Sequence, residues 1–290
     1  MESELNLQKQ SIRLEDGLQI EYFTAGEVNG APVVLLHGGG TDHALLSWRD
    51  TIPALVEAGY RVYAPNYPGY GGSTPGELPA TIPNLTGYVE QLMDSWKVRR
   101  AALIGISMGG SLAIGYTLRH PERVERMILI GSYGIQDKAP YHLMSYFMVR
   151  LPWLMDAMWS MARGSRWTAR YSLKSILHNP ESRSDELVQE LFEAMQYLDS
   201  QKAFYQMQRD EVQWKGMKTN YTDRLSEIQA PVLIVHGEKD IGVPLKYAQR
   251  AASRFPNARL EVIQNAGHWT QRDYPERFNR LMLEFLAEAP

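Results

Sequence analysis

The sequence contains no cysteine among its 290 residues. This absence excludes disulfide-stapled secreted folds, thiolate nucleophiles, zinc ribbons and iron–sulfur clusters. A large charge of either sign is also missing, because 30 Lys and Arg against 33 Asp and Glu leave a net charge of -3. No basic run is long enough to follow a phosphate backbone, and we therefore expect no nucleic-acid partner.

Long hydrophobic runs are missing as well. The most apolar long window, residues 143–161, is interrupted by Arg150, Pro152 and Asp156, whereas a membrane-spanning helix needs about 20 mostly apolar residues. The start of the sequence, residues 1–4, is acidic and lacks the basic and apolar regions of a secretory signal. The sequence therefore predicts a cytoplasmic protein without a membrane span.

Short apolar runs alternate with helical patterns along most of the chain, which is typical of an α/β fold with a mostly parallel sheet covered on both faces. The predicted strands lie at residues 33–36, 61–64, 101–104, 127–130, 232–235 and 260–263. Apolar positions at a spacing of three to four predict helices at residues 44–57, 88–97, 108–119, 244–254 and 275–287. An alternating stretch at residues 11–23 predicts an antiparallel hairpin ahead of the parallel strands.

Residues 135–215 break this alternation, because they show helical periodicity and no convincing strand. We expect them to form a helical cap inserted into a core made of residues 1–134 and 216–290. Methionine and tryptophan side chains concentrate in the first part of this segment. They either fix the cap to the core or line a pocket between the two layers, with Trp153 and Trp159 as candidate pocket residues.

The sharpest chemical signal is Gly-Ile-Ser-Met-Gly-Gly at residues 105–110, between a predicted strand and a predicted helix. A serine at such a turn is held in a strained backbone conformation that presents its hydroxyl to substrate. Small residues two positions away on either side, here Gly105 and Gly109, allow the turn to close. Ser107 is therefore the predicted nucleophile.

A serine hydroxyl needs a base, and that base needs an orienting carboxylate. Asp240 follows the strand at residues 232–235 and His268 follows the next predicted strand, so both lie at the edge of the sheet where ligands bind in such folds. Glu238 stays open as an alternative acid and His236 as an alternative base, although their positions near the strand end favour structural roles.

An oxyanion hole needs two N–H donors directed at the oxygen that becomes negative. Met108, directly after the nucleophile, supplies one, and Gly39 in the sequence His-Gly-Gly-Gly at residues 37–40 supplies the other unless that loop is only a tight turn. The glycines of residues 66–73 lack the pattern of a nucleotide-binding loop. The histidines at positions 37 and 43, with Asp42 between them, match no familiar metal spacing, and we expect no metal and no cofactor.

Together these motifs resemble the α/β-hydrolase superfamily over nearly the whole chain, including the order Ser, Asp, His of the triad. The resemblance rests on residues 36–40, 68–73, 105–110, 120–124 and 267–268. Within the superfamily, residues 267–271 together with 278–281 are similar to the meta-cleavage product hydrolases, which cut carbon–carbon bonds in dienoic, diketone-like acids. This similarity implies a helical lid inserted after the sixth strand.

Three positions depart from that subfamily, which usually has Asn where Ile106 stands, a lid arginine where Leu191 stands and Asp where Asn66 stands. A missing cation in a buried anion site should cost several kcal/mol of binding. We therefore expect a carboxylesterase-type hydrolase of small-to-medium esters, with Trp269 as a further candidate pocket wall. Carbon–carbon bond hydrolysis is the alternative. A hydrolase-fold receptor, in which slow turnover of a ligand repositions the lid for a partner protein, is an alternative of another class.

Overall fold

One eight-stranded sheet organises the part of the chain that the computed structural model describes, residues 6–288 without the side chain of residue 162. The strands are β1 (Gln8–Arg13), β2 (Gln19–Ala25), β3 (Pro32–Leu36), β4 (Arg61–Pro65), β5 (Ala101–Ile106), β6 (Val124–Ile130), β7 (Val232–Gly237) and β8 (Ala258–Ile263). Their order across the sheet is β1-β2-β4-β3-β5-β6-β7-β8. The pairs β1/β2 and β2/β4 are antiparallel, and every other neighbouring pair is parallel. The predicted fold class and the predicted hairpin are confirmed.

Helices cover both faces of this sheet. Within residues 6–288 they are α1 (Ala44–Trp48), α2 (Thr51–Glu57), α3 (Ile82–Ser95), α4 (Met108–Arg119), α5 (His142–Met148), α6 (Pro152–Arg163), α7 (Arg166–Ile176), α8 (Asp185–Ala194), α9 (Leu198–Glu211), α10 (Leu245–Ala252), α11 (Thr270–Asp273) and α12 (Pro275–Ala287). All six residues of the central strand β5 are buried, as expected for a parallel strand covered on both faces. Two apolar clusters, one on each side of the sheet, form the core.

Two predicted helices differ from the observed ones. The helix predicted at residues 44–57 is two helices, because the chain breaks at residues 49–50 and α2 begins again at Thr51. The helix predicted at residues 88–97 begins six residues earlier, at Ile82. Thr81 caps it by accepting a hydrogen bond from the Asn84 N–H, and a proline in its first turn suits that position. The start of α3 is therefore set by its N-capping residue, which the spacing of apolar residues does not show.

Five helices, α5 to α9, follow β6 and lie within residues 135–215, which we call the cap segment. The division of the chain into a core and a cap stays a prediction. Phe204 of α9 lies so close to Gly39 that a Cβ atom on that glycine would be 2.6 Å from the phenylalanine ring. The cap segment therefore lies over the carboxyl ends of the strands.

Asn66, the departure from the usual Asp, is explained by its partners. Its amide oxygen accepts a hydrogen bond from the Ala44 N–H at 2.8 Å, and its amide nitrogen donates to the buried Glu21 carboxylate at 2.9 Å. An aspartate at this position could accept the first bond but would set a second carboxylate against Glu21. The amide therefore suits the acidic neighbour that this chain has.

No helix within residues 6–288 is both long and apolar enough to cross a bilayer. The acidic start at residues 1–4, on which the leader prediction depends, lies outside the described residues.

Candidate active site

Ser107 occupies the sharp turn between β5 and α4. Its backbone angles are φ 50° and ψ -117°, in a region that non-glycine residues rarely adopt. A Cβ atom on Gly105 would lie 2.5 Å from the Gly109 carbonyl carbon, and one on Gly109 would lie 2.6 Å from the His37 carbonyl oxygen. Both small residues are therefore required by the close packing of this turn, as the motif indicates.

His268 and Asp240 come together from the loops after β8 and β7. Nδ1 of His268 lies 2.8 Å from Oδ2 of Asp240. The other oxygen, Oδ1, accepts hydrogen bonds from the N–H groups of Gly242 and Val243 at 2.8 and 2.9 Å. With both oxygens engaged, the carboxylate is fixed in the orientation that an imidazole base requires.

The electrostatics of this pair agree with its geometry. Burial lowers the pKa of His268, but the charge of Asp240, the hydrogen bond to it and the charge of Asp42 outweigh burial, so the net pKa is raised. Burial raises the pKa of Asp240, but the interactions with His268, with His236 and with the Val243 N–H outweigh it, so the net pKa is lowered. The pair therefore favours a proton on His268 and a negative charge on Asp240.

The alternative acid and base lie in other arrangements. The Glu238 carboxylate accepts a hydrogen bond from the Asn265 N–H at 3.1 Å. His236 is fully buried, its Nε2 lies 2.8 Å from the Val243 carbonyl oxygen, and burial lowers its pKa. The structure thus brings Asp240 rather than Glu238 to His268, and gives His236 a place in the wall behind Asp240.

The loop after β3 lies beside the nucleophile. A Cβ atom on Gly38 would be 3.7 Å from the Ser107 Cβ, and one on Gly39 would be 3.5 Å from the Met108 sulfur. The Gly38 N–H already donates to Asp42 at 2.7 Å, which leaves Gly39 as the next donor along the loop. Gly39 and Met108 stay the predicted oxyanion donors.

Asp42 lies beneath the glycine loop and makes contacts that its place in the sequence did not reveal, since there it was considered only as a metal ligand. Besides the Gly38 N–H, it accepts hydrogen bonds from the Ser47 hydroxyl at 2.6 Å and the His43 N–H at 2.8 Å. Burial raises its pKa to about 6 in spite of these bonds. Asp42 therefore holds the glycine loop in place beneath the site. Within residues 6–288, no group of three or more His, Asp or Glu side chains is arranged to bind a metal.

Two chambers meet at Ser107 and His268, and the ring of Phe204 contributes to both. The first, which we call the glycine-loop chamber, has a volume of about 290 Å³. Its walls include Gly38, Gly39, Gly40, Thr41, Ser172, Ser175, Leu191 and Trp269. The second, which we call the Gln136 chamber, has a volume of about 250 Å³. Its walls include Met108, Tyr133, Gln136, Met207, Glu211 and Val243. No lysine or arginine of the described residues lines either chamber.

The three candidate tryptophans have different positions. Trp269 and Trp159 line the glycine-loop chamber. Trp153 lines neither chamber and is 68% exposed, so its predicted place in the pocket is corrected. Trp153 lies six positions before Trp159 on α6, and that spacing turns the two side chains to different faces of the helix.

A larger cleft of about 540 Å³ lies away from this site, between α8 and the region of α11. Both arginines that face α8 are paired with carboxylates, Arg272 with Asp50 at 2.8 Å and Arg49 with Glu190. It contains none of the triad residues.

A protein-family model for the alpha/beta hydrolase fold matches residues 31–275. The chain belongs to this family. The α/β-hydrolase resemblance drawn from the motifs is thereby confirmed.

Curated relatives in the family match this hydrolase over most of its length. It is 32% identical over 283 residues to 2-hydroxy-6-oxononadienedioate/2-hydroxy-6-oxononatrienedioate hydrolase of Burkholderia vietnamiensis, covering 94% of this chain and 93% of the relative. It is 31% identical over 274 residues to 2-hydroxy-6-oxo-6-phenylhexa-2,4-dienoate hydrolase of Comamonas testosteroni, covering 93% and 91%. Among solved structures, a meta-cleavage product hydrolase from Pseudomonas fluorescens superposes with a TM-score of 0.81 at 31% identity, covering 97% and 98%. These relatives belong to the meta-cleavage product hydrolases, the alternative that the sequence offered, and they support that alternative better than the expected carboxylesterase.

Proposed function

We propose that this hydrolase cleaves the carbon–carbon bond beside the ketone of a 2-hydroxy-6-oxo-dienoate, using Ser107, His268 and Asp240. The proposal replaces ester hydrolysis as the preferred function. The observation that carries it is the match to dienoate hydrolases over more than nine-tenths of both chains.

The two chambers suit a substrate that extends in both directions from the reacting carbon. Ser107 and His268 line both chambers. A ketone carbon placed at Ser107 would therefore have its acyl group in one chamber and its dienoate half in the other. The combined volume of about 540 Å³ is within the usual range for small-molecule sites.

Charge indicates which half enters which chamber. The glycine-loop chamber offers hydroxyl groups of Thr41, Ser172 and Ser175 together with glycine backbone, and hydroxyl and N–H groups are donors for a carboxylate. The Gln136 chamber contains the buried carboxylate of Glu211. The dienoate carboxylate therefore enters the glycine-loop chamber, and the acyl group enters the Gln136 chamber.

The reaction follows from these positions. His268 accepts the hydroxyl proton as Ser107 attacks the ketone carbon, and the N–H groups of Gly39 and Met108 bind the oxyanion. The substrate reacts as its 2-keto tautomer, in which the proton of the 2-hydroxyl group has moved to C5, the carbon beside the ketone. The C5–C6 bond then breaks, and its electron pair delocalises through the neighbouring C=C bond into the 2-keto group. His268 gives its proton to that fragment, and water hydrolyses the acyl group from Ser107. One ketone and one water thus yield one carboxylic acid and one dienoate.

Ester hydrolysis remains a second candidate because of a specific observation. Leu191, where the resemblance to meta-cleavage product hydrolases implies a lid arginine, is 3% exposed and contributes an apolar wall to the glycine-loop chamber. A neutral ester places no charge against that wall, so it avoids the cost of an unpaired buried anion.

A kinetic comparison separates the two candidates. We would measure kcat/KM for the 6-phenyl dienoate and for p-nitrophenyl esters of increasing acyl length, with wild type, Ser107→Ala and the exposed control Ser253→Ala. We expect kcat/KM to be higher for the dienoate than for any of the esters. Ser107→Ala should abolish turnover of both substrate classes, and Ser253→Ala should retain it. Preference for an ester would overturn it in favour of an esterase, and no turnover of either class would favour a receptor.

A further inference from the structure

A buried amide without a partner lines the Gln136 chamber. Gln136 is 3% exposed, and its Oε1 atom has no hydrogen-bond partner among the described residues. Buried polar side-chain atoms are nearly always paired, and each exception needs an explanation. Because this side chain lines a cavity that also contains Ser107, a polar group of a bound substrate is the natural partner.

The backbone on both sides of Gln136 is fixed. The Ile135 carbonyl oxygen accepts a hydrogen bond from Arg250 at 2.9 Å, and the Asp137 carbonyl oxygen accepts one from the Met217 N–H at 2.8 Å. A ligand therefore meets an amide whose main chain is already in position, which reduces the entropic cost of forming a new hydrogen bond.

Among the described residues, the one carboxylate in the lining of this chamber is that of Glu211, and both of its oxygens accept hydrogen bonds. Glu211 is 0% exposed. It accepts hydrogen bonds from the Tyr133 hydroxyl at 2.7 Å, from the Thr219 hydroxyl at 2.7 Å and from the Thr219 N–H at 2.9 Å. With no cation in the lining, a second carboxylate here would be buried next to a like charge, which is strongly unfavourable.

We propose that the Gln136 chamber selects a substrate whose acyl arm ends in a neutral hydrogen-bonding group, such as a carboxamide or a hydroxyl, over arms that end in a carboxylate or a plain alkyl group. The proposal rests on the proposed function for the placement of the acyl arm. It makes Gln136 the residue that recognises the arm and Glu211 the residue that rejects an anionic one. The amide can both donate and accept, so it serves a carboxamide or a hydroxyl equally.

The test compares three acyl arms of equal length that end in a carboxamide, a carboxylate or a methyl group. Each arm is prepared on a 2-hydroxy-6-oxo-dienoate and on a p-nitrophenyl ester, and kcat and KM are measured separately. In wild type we expect kcat/KM for the carboxamide to exceed that for the methyl arm by roughly tenfold, the size of one neutral hydrogen bond. It should exceed that for the carboxylate by on the order of 100-fold, as expected for an unpaired buried charge.

The decisive variant is Gln136→Met, which keeps a similar side-chain volume and removes the amide. It should lower kcat/KM for the carboxamide arm by roughly tenfold, mainly through KM, and leave the methyl arm unchanged. Gln249→Met, the same change at an exposed position of α10, should leave all three arms unchanged. Equal effects of Gln136→Met on all three arms, or wild-type preference for the carboxylate or methyl arm, would overturn the proposal.

The two scaffolds keep this test separate from the test of the proposed function. If the esters show the expected ranking while no dienoate is cleaved, the carbon–carbon reaction is refuted and the selectivity of the chamber stands. If the dienoates are cleaved without the ranking, the reaction stands and the selectivity is refuted.

Discussion

The close packing behind Ser107 leads to a stability prediction with a matched control. In Gly109→Ala the new Cβ would lie 2.5 Å from the Leu36 carbonyl carbon, 2.6 Å from the His37 carbonyl oxygen and closer still to the Leu36 carbonyl oxygen. These are backbone atoms, which cannot rotate away as a side chain can. Since non-bonded carbon atoms settle about 3.5–4.0 Å apart, β3 and α4 must separate by about 1 Å.

The expected cost is at the upper end of the 1–3 kcal/mol typical of overpacking, or about 3 kcal/mol. Gly87→Ala is the control, because Gly87 lies inside α3 and a Cβ there would have no atom within 4 Å. In an open helix position alanine stabilises by about 1 kcal/mol relative to glycine. The two variants should therefore differ by about 4 kcal/mol in free energy of unfolding, or roughly 8–16 °C in Tm.

Thermal unfolding followed by circular dichroism measures this difference, and ester or dienoate turnover measures the displacement of Ser107. We expect Gly109→Ala to lose about 100-fold in kcat, as for a misplacement of about 1 Å, while Gly87→Ala keeps wild-type activity. A difference in Tm of 2 °C or less between the two variants would correspond to no more than the ~1 kcal/mol effect of helix propensity. If the difference is that small and both variants remain active, the close packing behind Ser107 does not have the predicted cost.

Two further predictions concern the charges of the site. Asp240→Asn should lower kcat by roughly 10⁴-fold and move the acidic limb of the kcat/KM profile to lower pH. His268 must be neutral to act as the base, so wild-type activity is lost as pH falls through the raised pKa of His268. The variant removes the negative charge of Asp240 that raises this pKa, so its activity should persist to lower pH. An unchanged limb in a pH titration would contradict this reasoning. Leu191→Arg should lower KM for an anionic dienoate by roughly tenfold through a charge-assisted hydrogen bond, with Leu191→Met as the control and the KM of a neutral ester as the reference. A fall in both KM values would show that the cation does not act on the carboxylate.

The sequence was most informative where local geometry permits few residue types. The turn at Ser107 needs small residues on both sides, and the loops that carry Asp240 and His268 follow apolar strands, so chain order alone placed all three at one edge of the sheet. The succession of strands and helices along the chain followed from the alternation of apolar runs and helical patterns, whereas the order of the strands across the sheet did not. These signals depend on neighbouring residues, which the sequence shows directly.

Tertiary packing determined what the sequence did not reveal. Phe204 forms part of both chambers although nothing near it in the sequence distinguishes it from other apolar cap residues. Trp153 and Trp159 cannot be told apart by residue type or by their place in the apolar part of the cap segment. Their spacing along α6 leaves Trp153 exposed and turns Trp159 to the glycine-loop chamber. The unpartnered amide of Gln136 becomes visible only when the surrounding backbone is placed. Asp42, two residues after the glycine loop, did have a usable signal, since a carboxylate there can accept from loop N–H groups.

Product analysis tests the central claim most directly. The 6-phenyl dienoate would be incubated with wild type and with Ser107→Ala, and benzoic acid and the five-carbon dienoate would be quantified by chromatography. We expect the two products in equal amounts from wild type and neither from the variant. Unchanged dienoate in a wild-type preparation that hydrolyses p-nitrophenyl esters would contradict carbon–carbon bond cleavage, and equal product formation by Ser107→Ala would contradict the role of Ser107 as the nucleophile.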